Sequence, residues 1–217
     1  LVMAPANIES YLRSHYGDIQ KWLPEDKRLN HAPEILAFSE RLQSAESSQI
    51  SVVIPLYNKE TEIERALRSV VEQSLSVGEI IVVNDGSTDS SESVVKEFIK
   101  RHPEANIRVI NQENRGVSAA RNRGISEAKG EYVALLDADD WWLSNYIAEV
   151  CRLMEYYPDC DAYSTAFDVV NNNRHSRAAT PSVEGYISPA NEALMGRYPI
   201  IPSTATLRRS TVKRCGG

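Results

Sequence analysis

Ile50-Ser51-Val52-Val53-Ile54 decides the architecture: it is short, apolar and β-branched, the composition of a strand buried on both faces of a parallel sheet. Pro55-Leu56-Tyr57-Asn58 breaks the run, and the chain then alternates helix with strand. Ile63, Ala66, Leu67, Val70 and Val71 form one helical stripe, with Thr61 and Glu64 spaced as a capping box at its start. Glu79-Ile80-Ile81-Val82-Val83 is a second strand, followed by Asn84-Asp85-Gly86-Ser87-Thr88-Asp89, a turn rich in capping residues. Val94, Val95, Phe98 and Ile99 mark a second helix, and Ile107-Arg108-Val109-Ile110 a third strand. Asn114-Arg115-Gly116 leads into a helix carrying Val117, Ala120, Gly124, Ile125 and Ala128, and residues 132 to 136 are a fourth strand. Such alternation implies an α/β fold: a Rossmann-like, mostly parallel sheet flanked by helices, with right-handed crossovers.

That fourth strand runs directly into three carboxylates, Asp137, Asp139 and Asp140, with no basic residue between them. Continued strand alternation would project Asp137 and Asp139 to one side. Two carboxylates held together repel unless a cation sits between them. A hard divalent ion, Mg²⁺ or Mn²⁺, suits them, because it takes one or two protein carboxylates and completes its shell with phosphate oxygens and water. The alternative is a solvated acidic turn. The rest of the pattern favours the metal, because four polar motifs fall at strand carboxyl ends, where ligands bind in such sheets. These are Pro55 with Tyr57 and Asn58, Asn84 with Asp85, Asn114 with Gly116, and Asp137 with Asp139.

Neither GxxxxGK[ST] nor GxGxxG follows the first strand, so P-loop hydrolysis and Rossmann dinucleotide binding lack support. Phosphates would then be held by metal and by side chains. Arg121, on the helix after Gly116, can fork onto phosphate oxygens, or else be a solvated helix arginine. Tyr57 offers a flat face to a base and Asp85 a carboxylate for a ring N–H, which together describe a pocket for a uracil-like nucleotide. Trp141 and Trp142 can stack on sugar rings, although paired tryptophans at a helix start also serve as core anchors. None of the four histidines sits in a motif, so nucleophilic Ser or Cys catalysis has no visible machinery.

Composition bounds the rest. The 217 residues suffice for one sizeable α/β domain, and 42% hydrophobic with 25% charged residues is ordinary for a globular protein. A net charge of −6 without a Lys/Arg cluster argues against nucleic-acid partners. Cys151, Cys160 and Cys215 are odd in number and lack ligand spacing, so they read as reduced thiols of a cytoplasmic protein. No run approaches the roughly 20 apolar residues of a membrane span. Attachment to the inner face of the membrane is therefore left to segments outside this chain.

Residues 1–48 differ from the rest of the chain: apolar positions at helical spacing, interrupted by Pro5, Pro24 and Pro33, predict a short helical extension ending in the polar linker 43–49. The expected division is this extension at 1–48 and the nucleotide-binding α/β domain at 49–217. Leu1-Val2-Met3 is not a natural start, so the expectation is a piece of a longer protein.

Four segments together resemble the family 2 glycosyltransferases of GT-A fold: 51–58, Val82 through Asp89, Asn114 through Asn122, and Leu136 through Trp141. Residues 202–217 are similar to the family segment before the acceptor-side loops. The resemblance implies that the Pro55 backbone, Tyr57 and Asp85 hold uridine, and that Asn114 and Arg121 lie in the donor site, Arg121 near the diphosphate. It implies that Asp137 and Asp139 hold ribose and metal, with Asp139 foremost on the metal and Asp140 in the donor site. The implied reaction is inverting transfer from a nucleotide sugar to a glycan, lipid-linked or protein acceptor, with a UDP-linked donor expected because the pocket suits uracil. The family's general base is expected beyond Gly217, so this chain is expected to bind donor and to turn over poorly; Asp159, Asp161, Asp168 and Glu184 are the alternatives within it. A nucleotide-sugar-binding or regulatory module without turnover is the competing reading. A nucleotidyltransferase would want a glycine-rich basic loop where Pro55 to Glu60 has no glycine.

Overall fold

The computed structural model describes residues 49–171, 174–177 and 201–216, so the expected helical extension at 1–48 lies outside the described residues. The elements are β1 (Ile50–Leu56), α1 (Ile63–Val71), β2 (Glu79–Asp85), α2 (Ser91–Arg101), β3 (Ile107–Gln112), α3 (Val117–Glu127) and β4 (Tyr132–Leu135). They continue with α4 (Tyr146–Tyr156), β5 (Ala162–Ser164), β6 (Asp168–Asn171), β7 (Arg174–Arg177), β8 (Ala205–Arg208) and α5 (Arg209–Arg214). Six strands form one sheet in the order β3-β2-β1-β4-β8-β5, and β6 pairs with β7 as a separate hairpin. β1 is parallel to both β2 and β4, and β2 to β3, whereas β8 runs antiparallel to β4 and β5. The direction of winding therefore reverses between β1 and β4, which opens a crevice at their carboxyl ends.

β1 is buried throughout, and alternation sorts its side chains onto two cores. Val52, Ile54 and Leu56 pack with Leu67, Phe98 and Ile147 on one face. Val53 packs with Ile81, Ala120 and Ile125 on the other. Full burial of each such aliphatic side chain contributes about 1.5–3 kcal/mol, so the central strands fix the frame on which the loops are hung. Helix α3 approaches β1 so closely that a Cβ at Gly124 would meet Val53 Cγ1 at 2.3 Å.

Several boundaries differ from expectation. β1 continues through Pro55 to Leu56 instead of ending before it. The Val53 carbonyl accepts Leu136 N–H, and two residues on Pro55 faces the same side, where β4 has already ended and no ladder donor is required. β2 and β3 extend to Asp85 and Gln112, whose side chains pair at 2.7 Å. The expected capping box is not formed: the helix begins at Ile63, the Glu62 and Ile63 N–H groups bond to the Lys59 carbonyl, and Thr61 Oγ1 donates to Glu62 instead. β4 stops at Leu135, one residue early. Among the described residues no helix is long and apolar enough to cross a membrane.

Candidate functional site

Four loops gather at the carboxyl edge of the sheet, those that follow β1, β2, β3 and β4. The β1 loop is clasped to the β2 loop by six hydrogen bonds, one of them from the Thr88 hydroxyl to Asn58 Oδ1. The Asn58 and Lys59 N–H groups reach Ser87 Oγ and Ser91 Oγ, and Thr88 N–H reaches Asn58 Oδ1. The Glu60 N–H bonds to Asp89 Oδ2 and the Ser90 N–H to Glu60 Oε2. Asn58 takes a left-handed φ of 50° to make the clasp, a conformation asparagine tolerates better than most residues. Tyr57, just before it, is left 46% exposed, with its ring available to a ligand.

Asp85 ends β2 and is only 3% exposed. Its carboxylate accepts the Gln112 side chain at 2.7 Å and the Arg115 and Gly116 N–H groups, each at 2.9 Å. Asp85 therefore anchors the Asn114–Gly116 loop, and since a carboxylate offers about four lone-pair sites, room remains for one more donor. Gly86 follows at φ 71°, and a Cβ there would lie 2.9 Å from the Asn114 backbone nitrogen, so the two loops touch backbone to backbone. Asn114 itself is exposed.

The acidic run is a turn and no longer a strand, closed by Asp140 N–H to the Asp137 carbonyl at 3.0 Å. Strand alternation consequently does not govern its side chains, and the three carboxylates have three separate partners. Asp137 accepts Arg121 Nη2 at 2.6 Å, joining α3 to the turn. Asp139 pairs with Lys59 Nζ at 2.8 Å. Asp140 accepts the Ser203 hydroxyl, whose oxygen also takes the Asp137 N–H at 3.1 Å. The Lys59 bond holds the Asp139 carboxyl below its ordinary value and raises the lysine's own. Burial pushes Asp140 up, and the charges of Asp139 and Asp137 push the same way against the Ser203 hydrogen bond.

The tryptophan pair divides. Trp142 is a core anchor, stacked on Tyr146 at 4.1 Å and donating Nε1–H to the Ser203 carbonyl at 2.7 Å. Trp141 is 37% exposed with the Arg65 guanidinium 4.0 Å above its ring, and Arg65 also donates to the Asp139 carbonyl at 2.6 Å.

The donor set suits a hard divalent cation. Among the described residues no three His, Cys, Asp or Glu side chains converge into a complete cage. The turn instead presents oxygen donors of which Asp139 is the most open, with 48% side-chain exposure, and an ion shared with phosphates needs only one or two protein carboxylates.

Pro55 and Asp85 thus lie in the last residues of β1 and β2, with Tyr57 and Asn114 on the loops after β1 and β3, while Arg121, Asp137, Asp139 and Asp140 gather about the β4 turn. Of the alternative bases, Asp161 pairs with Arg208, which is in register with Tyr132 at the opposite end of β4. Glu184 lies outside the described residues. Sequence reasoning missed Lys59, Arg65, Gln112 and Ser203. Lys59 carried one signal, a cation two residues beyond Tyr57; Ser203 lay in the 202–217 resemblance without a role.

An open α/β sheet with its polar loops gathered at a switch point is a nucleotide-binding architecture. The chain belongs to glycosyl transferase family 2, whose profile matches residues 51–216. Glycosyltransferase GlyA of Streptococcus pneumoniae serotype 4 is 41% identical over 112 residues, 51% of this chain and 16% of GlyA. The chain therefore spans about a sixth of that relative. S. aureus TarS 1-349 superposes with a TM-score of 0.65 at 23% identity, covering 77% of this chain and 49% of that one. Mannosyltransferase PcManGT from Pyrobaculum calidifontis, in complex with GDP-Man and Mn²⁺, gives a TM-score of 0.62 at 22% identity over 86% of this chain and 55% of its own. At these identities the structural likeness establishes the GT-A-like fold.

Proposed function

We propose that this chain carries the donor site of a metal-dependent glycosyltransferase that moves a sugar from a nucleotide sugar, UDP-linked, to a hydroxyl of a glycan, lipid-linked or protein acceptor with inversion. The observation that carries this reading is the convergence of Tyr57, the Asp85 loop, the Arg121–Asp137 pair and the Asp139 turn on one sheet edge. Family membership supports it, as do the neighbours: TarS is known in complex with UDP-GlcNAc and with UDP, and PcManGT with GDP-Man and Mn²⁺.

In this reading Tyr57 stacks on the base. Asp85 accepts a ring N–H with its remaining lone pair while holding the 114–116 loop against it. Arg121 orients Asp137 toward the ribose and lends positive charge to the diphosphate side. Asp139, with Asp137 beside it, would hold Mn²⁺ or Mg²⁺, which when bound neutralises charge on the departing diphosphate. The acceptor hydroxyl attacks the anomeric carbon as the glycosyl–phosphate bond breaks, and its proton passes to a base.

Saturation-transfer NMR with UDP, GDP and ADP in the presence of Mn²⁺ tests the reading. Uracil protons should receive saturation, and Tyr57→Ala should remove it. Equal transfer to all three bases would overturn the uridine assignment.

A further inference from the structure

Three carboxylates within four residues repel one another, and two of them are each matched by one cation, Asp137 by Arg121 and Asp139 by Lys59, while Asp140 takes only the neutral Ser203 hydroxyl. The partners differ in how firmly they are held. Arg121 is a forked guanidinium on a helix, with only 20% of its side chain exposed. Arg65 spends its guanidinium on the Asp139 carbonyl and the Trp141 ring, so it acts on the Asp139 carboxylate through charge and not through the bond that Lys59 makes. Lys59 is a single ammonium on a flexible stem, 36% exposed, touching one oxygen of the most exposed carboxylate. Its backbone N–H is nonetheless held by Ser91 Oγ at 2.8 Å within the clasp of the β1 and β2 loops.

We propose that Lys59 is a resident counter-ion for Asp139, occupying the carboxylate oxygen that a divalent cation needs and yielding it by exchange. This rests on the metal reading above. A half-exposed ion pair of this kind contributes little, so a divalent ion arriving with a diphosphate displaces the ammonium readily. The clasped backbone keeps the released ammonium beside the site, where it opposes a bare cation that brings no phosphate charge. Lys59 is therefore a positioning residue with two consequences. It holds the acidic turn in its binding geometry before metal arrives, and it weakens metal binding in the absence of nucleotide.

The test is Mn²⁺ binding to the nucleotide-free chain, read by loss of the electron paramagnetic resonance signal of free aqueous Mn²⁺. Wild type is compared with Lys59→Met, Lys59→Gln, Lys59→Arg and Asp139→Asn. Removal of the ammonium in Lys59→Met or Lys59→Gln should lower the Mn²⁺ Kd by about three- to tenfold, while Lys59→Arg should stay within about twofold of wild type. Unchanged or weaker binding in both neutral variants, with binding still abolished by Asp139→Asn, overturns the counter-ion role and leaves the metal reading standing. Mn²⁺ binding that Asp139→Asn does not alter overturns the metal reading itself. The two neutral variants guard against a folding defect in either one, and a merely structural lysine would not tighten a metal site when removed.

Discussion

Arg121 Nη2 lies 2.6 Å from Asp137 Oδ1, so a helix that begins at Val117 and a turn that opens at Asp137 are joined by a charged hydrogen bond at the edge of the sheet. Among the described residues Arg121 Nε is buried without a hydrogen-bond partner, so the guanidinium is fixed in place but not fully used. A charge-assisted bond of this type contributes about 1.5–3 kcal/mol. Arg121→Lys keeps the charge and loses the fork. It should raise the UDP Kd by about ten- to a hundredfold, measured by calorimetry, and lower the melting temperature by a few degrees, measured by thermal unfolding.

Asp85 carries two duties that separate experimentally. Asp85→Asn substitutes an N–H₂ group for an oxygen facing the Arg115 or Gly116 N–H, which leaves a part-buried donor unpaired. The chain should lose about 1–3 kcal/mol in urea unfolding. Uridine nucleotides should weaken more than guanosine nucleotides in the same variant. Equal weakening would confine Asp85 to anchoring the loop.

Glu79 governs acid stability far from the site. Its buried carboxylate accepts Ser51 Oγ and Lys129 N–H, each at 2.7 Å, and Arg108 Nε at 3.2 Å. Burial alone would raise its pKa, but these partners outweigh it and the net shift is downward from 4.5. A depressed folded pKa means the contribution is present above pH 4.5 and is lost as pH falls through the folded value. Glu79→Gln should destabilise by about 2–4 kcal/mol at pH 7 and flatten the stability profile below the carboxylate range, read from urea midpoints across pH 3 to 7.

Gly124→Ala should improve helix propensity and still destabilise. The added methyl would sit 2.3 Å from Val53 Cγ1 in a fully buried layer. Overpacking of this kind costs about 1–3 kcal/mol, more than the roughly 1 kcal/mol by which alanine outranks glycine in a helix. Val53→Ala combined with Gly124→Ala should recover part of the loss, and a double-mutant cycle measures the coupling.

The parallel half of the fold was legible because β1 and β2 are unbroken apolar runs and the α1 stripe is regular, patterns that burial itself imposes. Loop chemistry at strand ends was legible for the same reason. What escaped was non-local. The side chains that shape the acidic turn come from 74 residues upstream at Arg65 and 63 downstream at Ser203, and no periodicity links such positions. Strand alternation could not be carried past Leu135 to Asp137 and Asp139, because β4 ends there and the turn that follows sets side-chain directions by its own geometry. β8 is four residues long and wedges antiparallel between β4 and β5, a placement set by its neighbours and not by its own composition. Trp141 and Trp142 are chemically identical in sequence, and it is their partners, the Ser203 carbonyl and Tyr146 ring for one and the Arg65 guanidinium for the other, that tell them apart.

Calorimetric titration of the chain with UDP, with and without Mn²⁺, in wild type and Asp139→Asn, bears most directly on the donor site. UDP should bind in the presence of Mn²⁺ and lose at least about tenfold in affinity when the metal is withheld or Asp139 is changed, with GDP and ADP weaker throughout. UDP affinity that is the same with and without Mn²⁺, and the same in Asp139→Asn, would contradict the account.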